Sequence, residues 1–458
     1  MTMRTTRPAL LASLAVSALA LGACGPAVSG GPASSSGSSG TDPGTTDTAA
    51  VDYSGIEPAD RITVWSNHPG GSIDTENAII ADFTKETGIT VDLVTAGANY
   101  EEVSQKFQTA QTSGDVGDVV VLSDATWFPA YLAGSIIPVD DVLEAAGADT
   151  STYQETLFND YAYEGAHYAV PYARSTPIFY YNKDLLAAAG VSTDAAPATW
   201  EDVKAAGEAV HGADANVAGF GFPPEAEYPA WTMANLVWGY GGSWSNEWDF
   251  SPLTSQADVD AIGFAQSGVT DGWATVLSDD PATGFSAGSV SMVIASTGSL
   301  TDILDTSTFD VGVGYLPAGP ANDGKGGEGI VPTGGAGLAI AAKADPAHRL
   351  AAAQFVDFMT NAQNTATFSG ATGYLPVRTD ADMSAVYAEQ PAFKVAVEQL
   401  ARTRSQDYAR ALLPGGDLAL SKFLQSTLTS GTDPTAALTD LQAQLQGLYD
   451  RDKAELGG

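Results

Sequence analysis

The chain has 458 residues, which is enough for two or three domains of ordinary size around a large hydrophobic core. Its 19 Lys and Arg residues against 55 Asp and Glu residues give a formal net charge of -36, which argues against nucleic acid and anionic lipid headgroups as binding partners. The single cysteine excludes an intramolecular disulfide and a cysteine-based zinc site, and the four histidines show no metal-ligand spacing. We therefore predict no metal site and no cofactor.

The N-terminus has the pattern of a secretion signal. Arg4 and Arg7 form a basic segment, and the apolar run Ala9–Leu21 is too short to span a bilayer as a helix of the mature protein. The run ends in the sequence LGAC, which resembles a bacterial lipoprotein signal with Cys24 at the acylated position. We predict a lipoprotein signal peptide over residues 1–24. The alternative is an ordinary signal peptide with a coincidental cysteine.

Residues 25–57 form a segment of low complexity, mostly Gly, Ser, Thr, Ala, Pro and Asp. Such a segment cannot bury enough apolar surface to offset the entropy lost on ordering. We predict a flexible tether that follows a lipidated Cys24. The mature chain would then be extracytoplasmic, anchored to the outer face of the cell membrane through its lipid alone.

The first part of the folded region alternates between strand and helix patterns. Arg61–Trp65 and Ile89–Leu93 alternate as strands, and the helical stripe between them ends at Gly88. Tyr100–Ala110 has apolar residues at helical spacing. Val119–Leu122 is a continuous apolar run, which is typical of a strand buried on both faces. This order predicts an α/β layer with a parallel sheet.

A rigid extended segment follows, within Tyr168–Gly190. Pro171 and Pro177 bracket a short polar stretch, and an aromatic run leads into an alanine-rich helix that Gly190 ends. Proline is excluded from central strands and pushes the residue before it toward extended geometry. We predict that the chain leaves one structural unit here and enters another.

The second half continues the alternation. Thr199–Asp202 has the sequence of a capping box that opens a helix. Ser289–Ala295 and Phe309–Tyr315 alternate as strands, and Gly319–Gly329 is a Gly-rich loop. Asp433-Pro434 opens the last amphipathic helix.

Extended segments at Val331–Gly337 and Thr372–Pro376 have the character of two further crossings. We predict an α/β fold of two lobes, each discontinuous in sequence and joined to the other by three hinge crossings. Domain interfaces commonly hold ligand pockets, so we expect a ligand in the cleft between the lobes. The predicted limits are 58–172 and 331–373 for lobe one, and 175–330 and 376–458 for lobe two.

The run PYARSTPIFYYNKDL at residues 171–185 resembles the first hinge crossing of the extracytoplasmic solute-binding proteins of ABC importers, the maltose-binding-like family 1. Within that family the chain is most similar to the binders of sn-glycerol-3-phosphate and glycerophosphodiesters such as glycerophosphocholine, from about residue 61 to about residue 453. The resemblance implies a two-lobed periplasmic-binding-protein-like fold. It also implies a monomer without enzymatic activity, which delivers a small polar solute to ABC permease subunits.

The resemblance also implies a set of ligand contacts: Tyr100, Asp124, Ser175, Trp231, Ser296 and Tyr374. A carboxylate such as that of Asp124 accepts hydrogen bonds from the hydroxyls of glycerol or of a sugar. The alternative role of Asp124 is to cap the helix that follows it. Ser296–Ser299 resembles a serine-rich turn of the family, whose hydroxyls and backbone N–H groups would face phosphate at a helix N-terminus.

Tyr228 and Trp231 are three residues apart and could share one face of a helix. They would form an aromatic wall against glycerol or choline, whereas the alternative is ordinary core packing. In the glycerol-3-phosphate binders two tryptophans have this spacing, so Tyr228 is a departure that bears on headgroup preference.

Arg410 and Gly335 complete the candidate site. A chain with a net charge of -36 repels anions, so a phosphate ligand needs a local cation, and Arg410 offers bidentate geometry to its oxygens. The alternative for Arg410 is a salt bridge with one of many carboxylates. Gly335, next to Gly334, would allow the backbone to approach the ligand closely.

Two other functions are compatible with parts of the sequence. An oligosaccharide could stack on the same aromatic residues and would need no cation. Gly284–Gly288 also matches the G-x-S-x-G pattern of serine esterases around Ser286. That motif requires a strand before it and a helix after it, but the sequence here predicts a strand after it.

Overall fold

The computed structural model of the protein describes residues 51–114, 116–322, 329–454 and 456. The predicted signal peptide with Cys24, the predicted tether up to residue 50, and part of the predicted Gly-rich loop, residues 323–328, lie outside the described residues. Tyr53, near the end of the predicted tether, packs against one of the hydrophobic cores. Within the described ranges, no helix is both long enough and apolar enough to cross a bilayer.

Strands and helices alternate along most of the chain. The β-strands are β1 (Arg61–Ser66), β2 (Thr90–Thr95), β3 (Val119–Ser123), β4 (Ala162–Tyr163), β5 (Ala166–His167), β6 (Val170–Ser175), β7 (Pro177–Asn182), β8 (Phe220–Phe222), β9 (Ala274–Val276), β10 (Met292–Ser296), β11 (Val311–Gly314), β12 (Val331–Pro332), β13 (Gly334–Ile340) and β14 (Thr403–Arg404). The α-helices are α1 (Ile73–Thr87), α2 (Tyr100–Ala110), α3 (Trp127–Leu132), α4 (Asp140–Ala146), α5 (Glu155–Asn159), α6 (Lys183–Ala188), α7 (Trp200–Ala213), α8 (Pro229–Thr232), α9 (Ala234–Gly239), α10 (Gln256–Asp271), α11 (Pro281–Ser286), α12 (Leu300–Thr306), α13 (Pro346–Met359), α14 (Ala362–Thr372), α15 (Ser384–Glu389), α16 (Phe393–Glu398), α17 (Tyr408–Ala411), α18 (Gly416–Ser430) and α19 (Pro434–Asp452). Short 3-10 turns lie at Pro69–Gly71, Thr150–Thr152, Glu225–Glu227, Ser251–Thr254, Thr297–Ser299 and Gln399–Arg402.

Helix ends confirm several local predictions. α1 ends at Gly88, whose φ of 81° is readily adopted by glycine. The capping box at the start of α7 is present, with Thr199 and Asp202 satisfying each other's backbone N–H groups. Asp433 caps α19 ahead of a proline in the first turn, as the sequence predicted, and Asp345 caps α13 in the same way.

The first sheet has the strand order β2-β1-β3-β13-β6. β1 pairs in parallel with β2 and β3, as the alternation of strands and helices predicted. β13, however, runs antiparallel to both β3 and β6, so the sheet is mixed and not purely parallel. β13 comes from the later part of the chain and inserts between two strands of the earlier part.

The second sheet has the strand order β11-β7-β10-β8-β9. β7 runs antiparallel to β10 and β11, and β8 is parallel to β9 and β10. The core beside it is rich in buried aromatic residues, among them Trp200 of α7 and the loop residues Trp244 and Trp273. Two sheets with helices around each give the two-lobed α/β fold that the sequence predicted.

The chain passes from the first sheet to the second between β6 and β7, with Thr176 as the connecting residue. Pro171 lies in the edge strand β6, and Pro177 is the first residue of β7. Proline is tolerated at both kinds of position because its missing N–H disrupts little of the ladder there. Every residue of both strands is buried.

The chain returns toward the second sheet after α14. Val377 O accepts a hydrogen bond from Gln154 N at 2.9 Å, and Thr379 N donates to Thr152 O at 2.7 Å. Arg378 is ion-paired with Asp357 of α13 at 2.8 Å. Contacts with elements around the first sheet therefore continue past residue 373, the predicted limit of lobe one.

Candidate functional site

A cavity of about 290 Å³ lies between elements of the two sheets. β3 and the loop after it, together with β13, line it from the first sheet, and β10, α8 and α17 line it from the other side. All the residues proposed from the sequence as ligand contacts line this cavity: Tyr100, Asp124, Ser175, Tyr228, Trp231, Ser296, Gly335, Tyr374 and Arg410. They come from separated segments of the chain, and the fold brings them to one place.

Arg410 contributes a cationic side chain to the cavity wall. Its Nη1 donates to Asp124 Oδ2 at 2.6 Å, and its Nε lies 2.9 Å from Asp417 Oδ1. The Arg410 and Asp124 side chains are only 4% and 7% exposed. Burial alone would lower the pKa of the guanidinium, but the carboxylates of Asp124 and Asp417 hold that pKa above its usual value. Arg410 is therefore a permanent cation, and it forms the salt bridge that was the alternative to a ligand contact.

The prediction that Asp124 caps a helix is wrong. α3 begins at Trp127, and Thr126 precedes it without a side-chain cap. The Thr126 hydroxyl instead accepts a hydrogen bond from Ser123 N at 2.8 Å. The Asp124 carboxylate accepts from Arg410 and from Gln406, both of which come from the region of α17. Asp124 therefore joins the loop after β3 to the opposite side of the cavity.

The aromatic wall is present, but not as one helix face. Tyr228 precedes α8 in a left-handed conformation with φ of 53°, and only Trp231 lies within the helix. Trp231 Nε1 donates to Thr333 O at 3.0 Å, and Tyr228 OH donates to Glu101 Oε2 at 3.1 Å. Both aromatic residues are thus held by partners from other parts of the chain.

Gly334 and Gly335 pack closely against other parts of the protein, whereas the sequence suggested a close approach of the backbone to a ligand. A Cβ on Gly334 would lie 2.5 Å from Trp231 Nε1, and one on Gly335 would lie 2.1 Å from Ala173 O. Gly335 also has φ of +93°, a conformation that L side chains rarely adopt. Its carbonyl accepts from Asp124 N at 2.9 Å, so this glycine helps to hold the loop that carries Asp124.

Hydroxyl groups line the remaining wall. Tyr100 OH and Tyr374 OH are 3.5 Å apart. The ring of Tyr374 lies so close to Gly298 that a Cβ there would meet it at 2.7 Å. Ser296 Oγ accepts from Gly298 N at 3.0 Å, so the turn after β10 already satisfies one of the N–H groups predicted to face phosphate. The Ser296 hydroxyl itself still lines the cavity.

Three acidic residues of the cavity were not predicted from the sequence: Glu101, Glu227 and Asp280. Burial raises the pKa of Glu101, and the carboxylate of Asp417 raises it further. Burial, followed by the charges of Asp280 and Glu101, raises the pKa of Glu227 to about 7. The three residues are far apart in sequence, and no local motif marks them.

The esterase alternative has the wrong local structure. Ser286 is the last residue of α11 and is followed, after a turn, by strand β10. A nucleophile elbow has the opposite order of strand, nucleophile and helix. Ser286 Oγ accepts a hydrogen bond from Ser307 Oγ at 3.4 Å, whereas the nucleophile of a serine esterase donates its proton to a histidine. Among the described residues, no group of three or more His, Cys, Asp and Glu side chains could hold a metal ion.

Comparison with known proteins gives consistent results. Residues 78–395 match the family model of bacterial extracellular solute-binding proteins. The sn-glycerol-3-phosphate-binding periplasmic protein UgpB of Pectobacterium atrosepticum is 26% identical over 412 residues, which cover 85% of this chain and 91% of that protein.

Solved structures agree with the fold. UgpB from Mycobacterium tuberculosis, crystallised in complex with glycerophosphocholine, is similar with a TM-score of 0.81 and 40% identity, covering 86% of this chain and 99% of that one. The GacH receptor of Streptomyces glaucescens, solved unliganded and with acarbose, has a TM-score of 0.75 at 21% identity, with 86% and 99% of the two chains covered. The second likeness supports the fold alone.

Proposed function

Because the chain belongs to the bacterial extracellular solute-binding proteins, we propose that it binds glycerophosphodiesters such as glycerophosphocholine, or sn-glycerol-3-phosphate, in the cavity between its two sheets. We infer that it acts as a monomer and delivers this ligand to the permease subunits of an ABC importer. The lobes, with the limits predicted from the sequence, would close over the ligand by hinge motion.

The position of Arg410 is the observation that carries this proposal. Among the described residues that line the cavity, Arg410 is the only Lys or Arg. Its Nη1 and Nε face carboxylates, whereas Nη2 donates no hydrogen bond within the described part of the chain. A phosphate oxygen could accept from that free group, and the carboxylates on the other side fix the orientation of the guanidinium.

The other lining groups suit the rest of such a ligand. Asp124, Ser175 and Ser296 offer acceptors and donors for glycerol hydroxyls. The rings of Trp231 and Tyr228 offer apolar surface and a π face for a choline group. In support, the Mycobacterium tuberculosis relative, at 40% identity, was crystallised with glycerophosphocholine.

A thermal-shift panel with the purified protein tests the ligand class. Glycerophosphocholine at 100 times its dissociation constant is expected to stabilise the folded state by about 2.7 kcal/mol and raise the unfolding midpoint by a few degrees. Maltose and trehalose, which carry no phosphate for Arg410, are expected to leave the midpoint at its value in buffer. A shift with a sugar and none with the phosphodiester would contradict the phosphate assignment and favour the oligosaccharide alternative.

The lipid anchor is a separate part of the proposal. We infer that Cys24, which lies outside the described residues, carries the lipid that holds the protein at the outer face of the cell membrane. Cys24→Ala is expected to move the protein from the membrane fraction to the medium, because the acyl chains supply the membrane affinity. The measurement is immunoblotting of fractionated cells, with Glu208→Ala as a control that keeps the cysteine. Retention of Cys24→Ala in the membrane fraction would contradict the anchor.

A further inference from the structure

The cavity has an excess of negative charge. Its lining residues include four carboxylates, Glu101, Asp124, Glu227 and Asp280, but a single guanidinium, that of Arg410. Asp124 is the one carboxylate of the four that is paired with Arg410. An excess of this kind favours a ligand that carries a positive charge beside its phosphate over one whose only charge is negative.

The other three carboxylates have no cationic partner in the described part of the chain. Glu101 accepts a hydrogen bond from Tyr228 OH at 3.1 Å. Asp280 caps α11 and accepts from Ala282 N and Thr283 N at 3.2 and 3.3 Å. The Glu227 side chain makes no hydrogen bond to a described residue, although it is half-buried and faces the cavity.

We propose that Glu101, Glu227 and Asp280, together with the ring of Tyr228, form a headgroup subsite that selects glycerophosphodiesters with a positively charged headgroup over those with a neutral or anionic one. This inference rests on the proposed function, since Arg410 must hold the phosphate for the headgroup to reach the carboxylates.

The chemistry of the subsite matches a quaternary ammonium ion. Such an ion donates no hydrogen bond, so it is bound by charge and by contact with aromatic faces. Tyr228, with its hydroxyl held by Glu101, presents a fixed ring at the cavity wall. A zwitterionic phosphodiester would place its negative charge at Arg410 and its positive charge among the carboxylates. Each charge would then meet its opposite.

Protonation of Glu227 adds a dependence on pH. The charges that act on Glu227 are those of Asp280 and Glu101, and the pKa of Glu227 is raised to about 7. Helix α18 packs beside the turn that carries Glu227. The charge of its Asp417 raises the pKa of Glu101 and of Tyr228, and its Lys422 is exposed. A bound cation favours the carboxylate form, so affinity for it rises as pH rises through about 7.

The test is isothermal titration calorimetry of the purified protein with two ligands at pH 6 and pH 8. Glycerophosphocholine and glycerophosphoglycerol each carry one phosphodiester charge at both pH values, and they differ in whether the headgroup is cationic. The wild-type protein is expected to bind glycerophosphocholine at least about tenfold more tightly. With a pKa of about 7, Glu227 is about 10% ionised at pH 6 and about 90% at pH 8, so that affinity rises up to about ninefold.

Two variants and a control test the role of Glu227 in the preference for a cationic headgroup. Glu227→Gln is expected to remove most of the pH dependence and reduce the preference for glycerophosphocholine about three- to tenfold. Glu227→Lys is expected to reverse the preference toward glycerophosphoglycerol. Glu208→Gln removes an exposed charge on α7, a helix that does not line the cavity, and this variant is expected to match the wild-type protein.

Each outcome has one meaning. If the wild-type protein binds both phosphodiesters equally and Glu227→Gln changes nothing, the headgroup subsite is wrong and the proposed function stands. If neither phosphodiester binds at either pH, and sn-glycerol-3-phosphate titrated in the same way does not bind either, the proposed function itself is wrong.

Discussion

Arg410→Ala is expected to weaken glycerophosphocholine binding about 30- to 150-fold, which corresponds to about 2–3 kcal/mol for a charge-assisted contact. The variant is also expected to lower the free energy of unfolding by about 3–5 kcal/mol, because it leaves the buried Asp124 and the partly buried Asp417 without their cation. Calorimetry with glycerophosphocholine measures the first effect, and urea unfolding monitored by circular dichroism measures the second.

Arg378 offers a matched control for this experiment. It is also a buried arginine, with 6% of its side chain exposed and an ion pair to Asp357 at 2.8 Å, but it does not line the cavity. Arg378→Ala is expected to destabilise the fold in the same way while the folded protein keeps its affinity for glycerophosphocholine. Arg410→Lys keeps the charge but loses the planar fork, so it should fold and still bind weakly. Wild-type affinity in Arg410→Ala would exclude the phosphate contact.

Local patterns in the sequence predicted most of the elements, because each pattern is set by residues near one another in the chain. The capping box at Thr199 and the glycine end of α1 are examples, since backbone groups within one turn decide them. The antiparallel entry of β13 into the first sheet is different. Its direction depends on where the chain returns after the second sheet, and no local pattern encodes that return.

Two local predictions at the site were wrong for different reasons. Asp124 is a residue type that often caps helices, but its carboxylate forms an ion pair with Arg410, a residue distant in sequence. The carboxylate therefore does not cap α3. The spacing of Tyr228 and Trp231 predicts one shared helix face, but Pro229 follows Tyr228 in the sequence. The residue before a proline is disfavoured in helical geometry, so this second error was visible in the sequence.

The placement of the candidate contacts around one cavity was implied by resemblance to a family and not by residue spacing. The sequence does not single out the cavity residues Glu101, Glu227 and Asp280, because each has another acidic residue within two positions in the chain. In a chain with 55 acidic residues, an unpaired carboxylate becomes distinctive only when burial and neighbouring charges raise its pKa. Burial and neighbouring charges depend on the folded structure and cannot be seen in the sequence.

Gly335→Ala is expected to reduce the free energy of unfolding by about 3–5 kcal/mol. The new Cβ would lie 2.1 Å from Ala173 O, a backbone atom of the neighbouring strand β6, so relief requires β13 and β6 to separate. The φ of +93° adds strain for any residue with a side chain. Because Gly335 O accepts from Asp124 N, the loop that carries Asp124 should shift, and glycerophosphocholine affinity should fall with stability.

Gly263→Ala is the control for this substitution. Gly263 lies within helix α10, and a Cβ there would have no atom within 4 Å. Alanine favours a helix over glycine by about 0.5–1 kcal/mol, so this variant should be more stable than the wild-type protein and bind equally well. Urea unfolding of both variants measures the two changes in the free energy of unfolding, which are expected to have opposite signs. An unchanged midpoint in Gly335→Ala would contradict the close packing of β13 against β6 at Gly335.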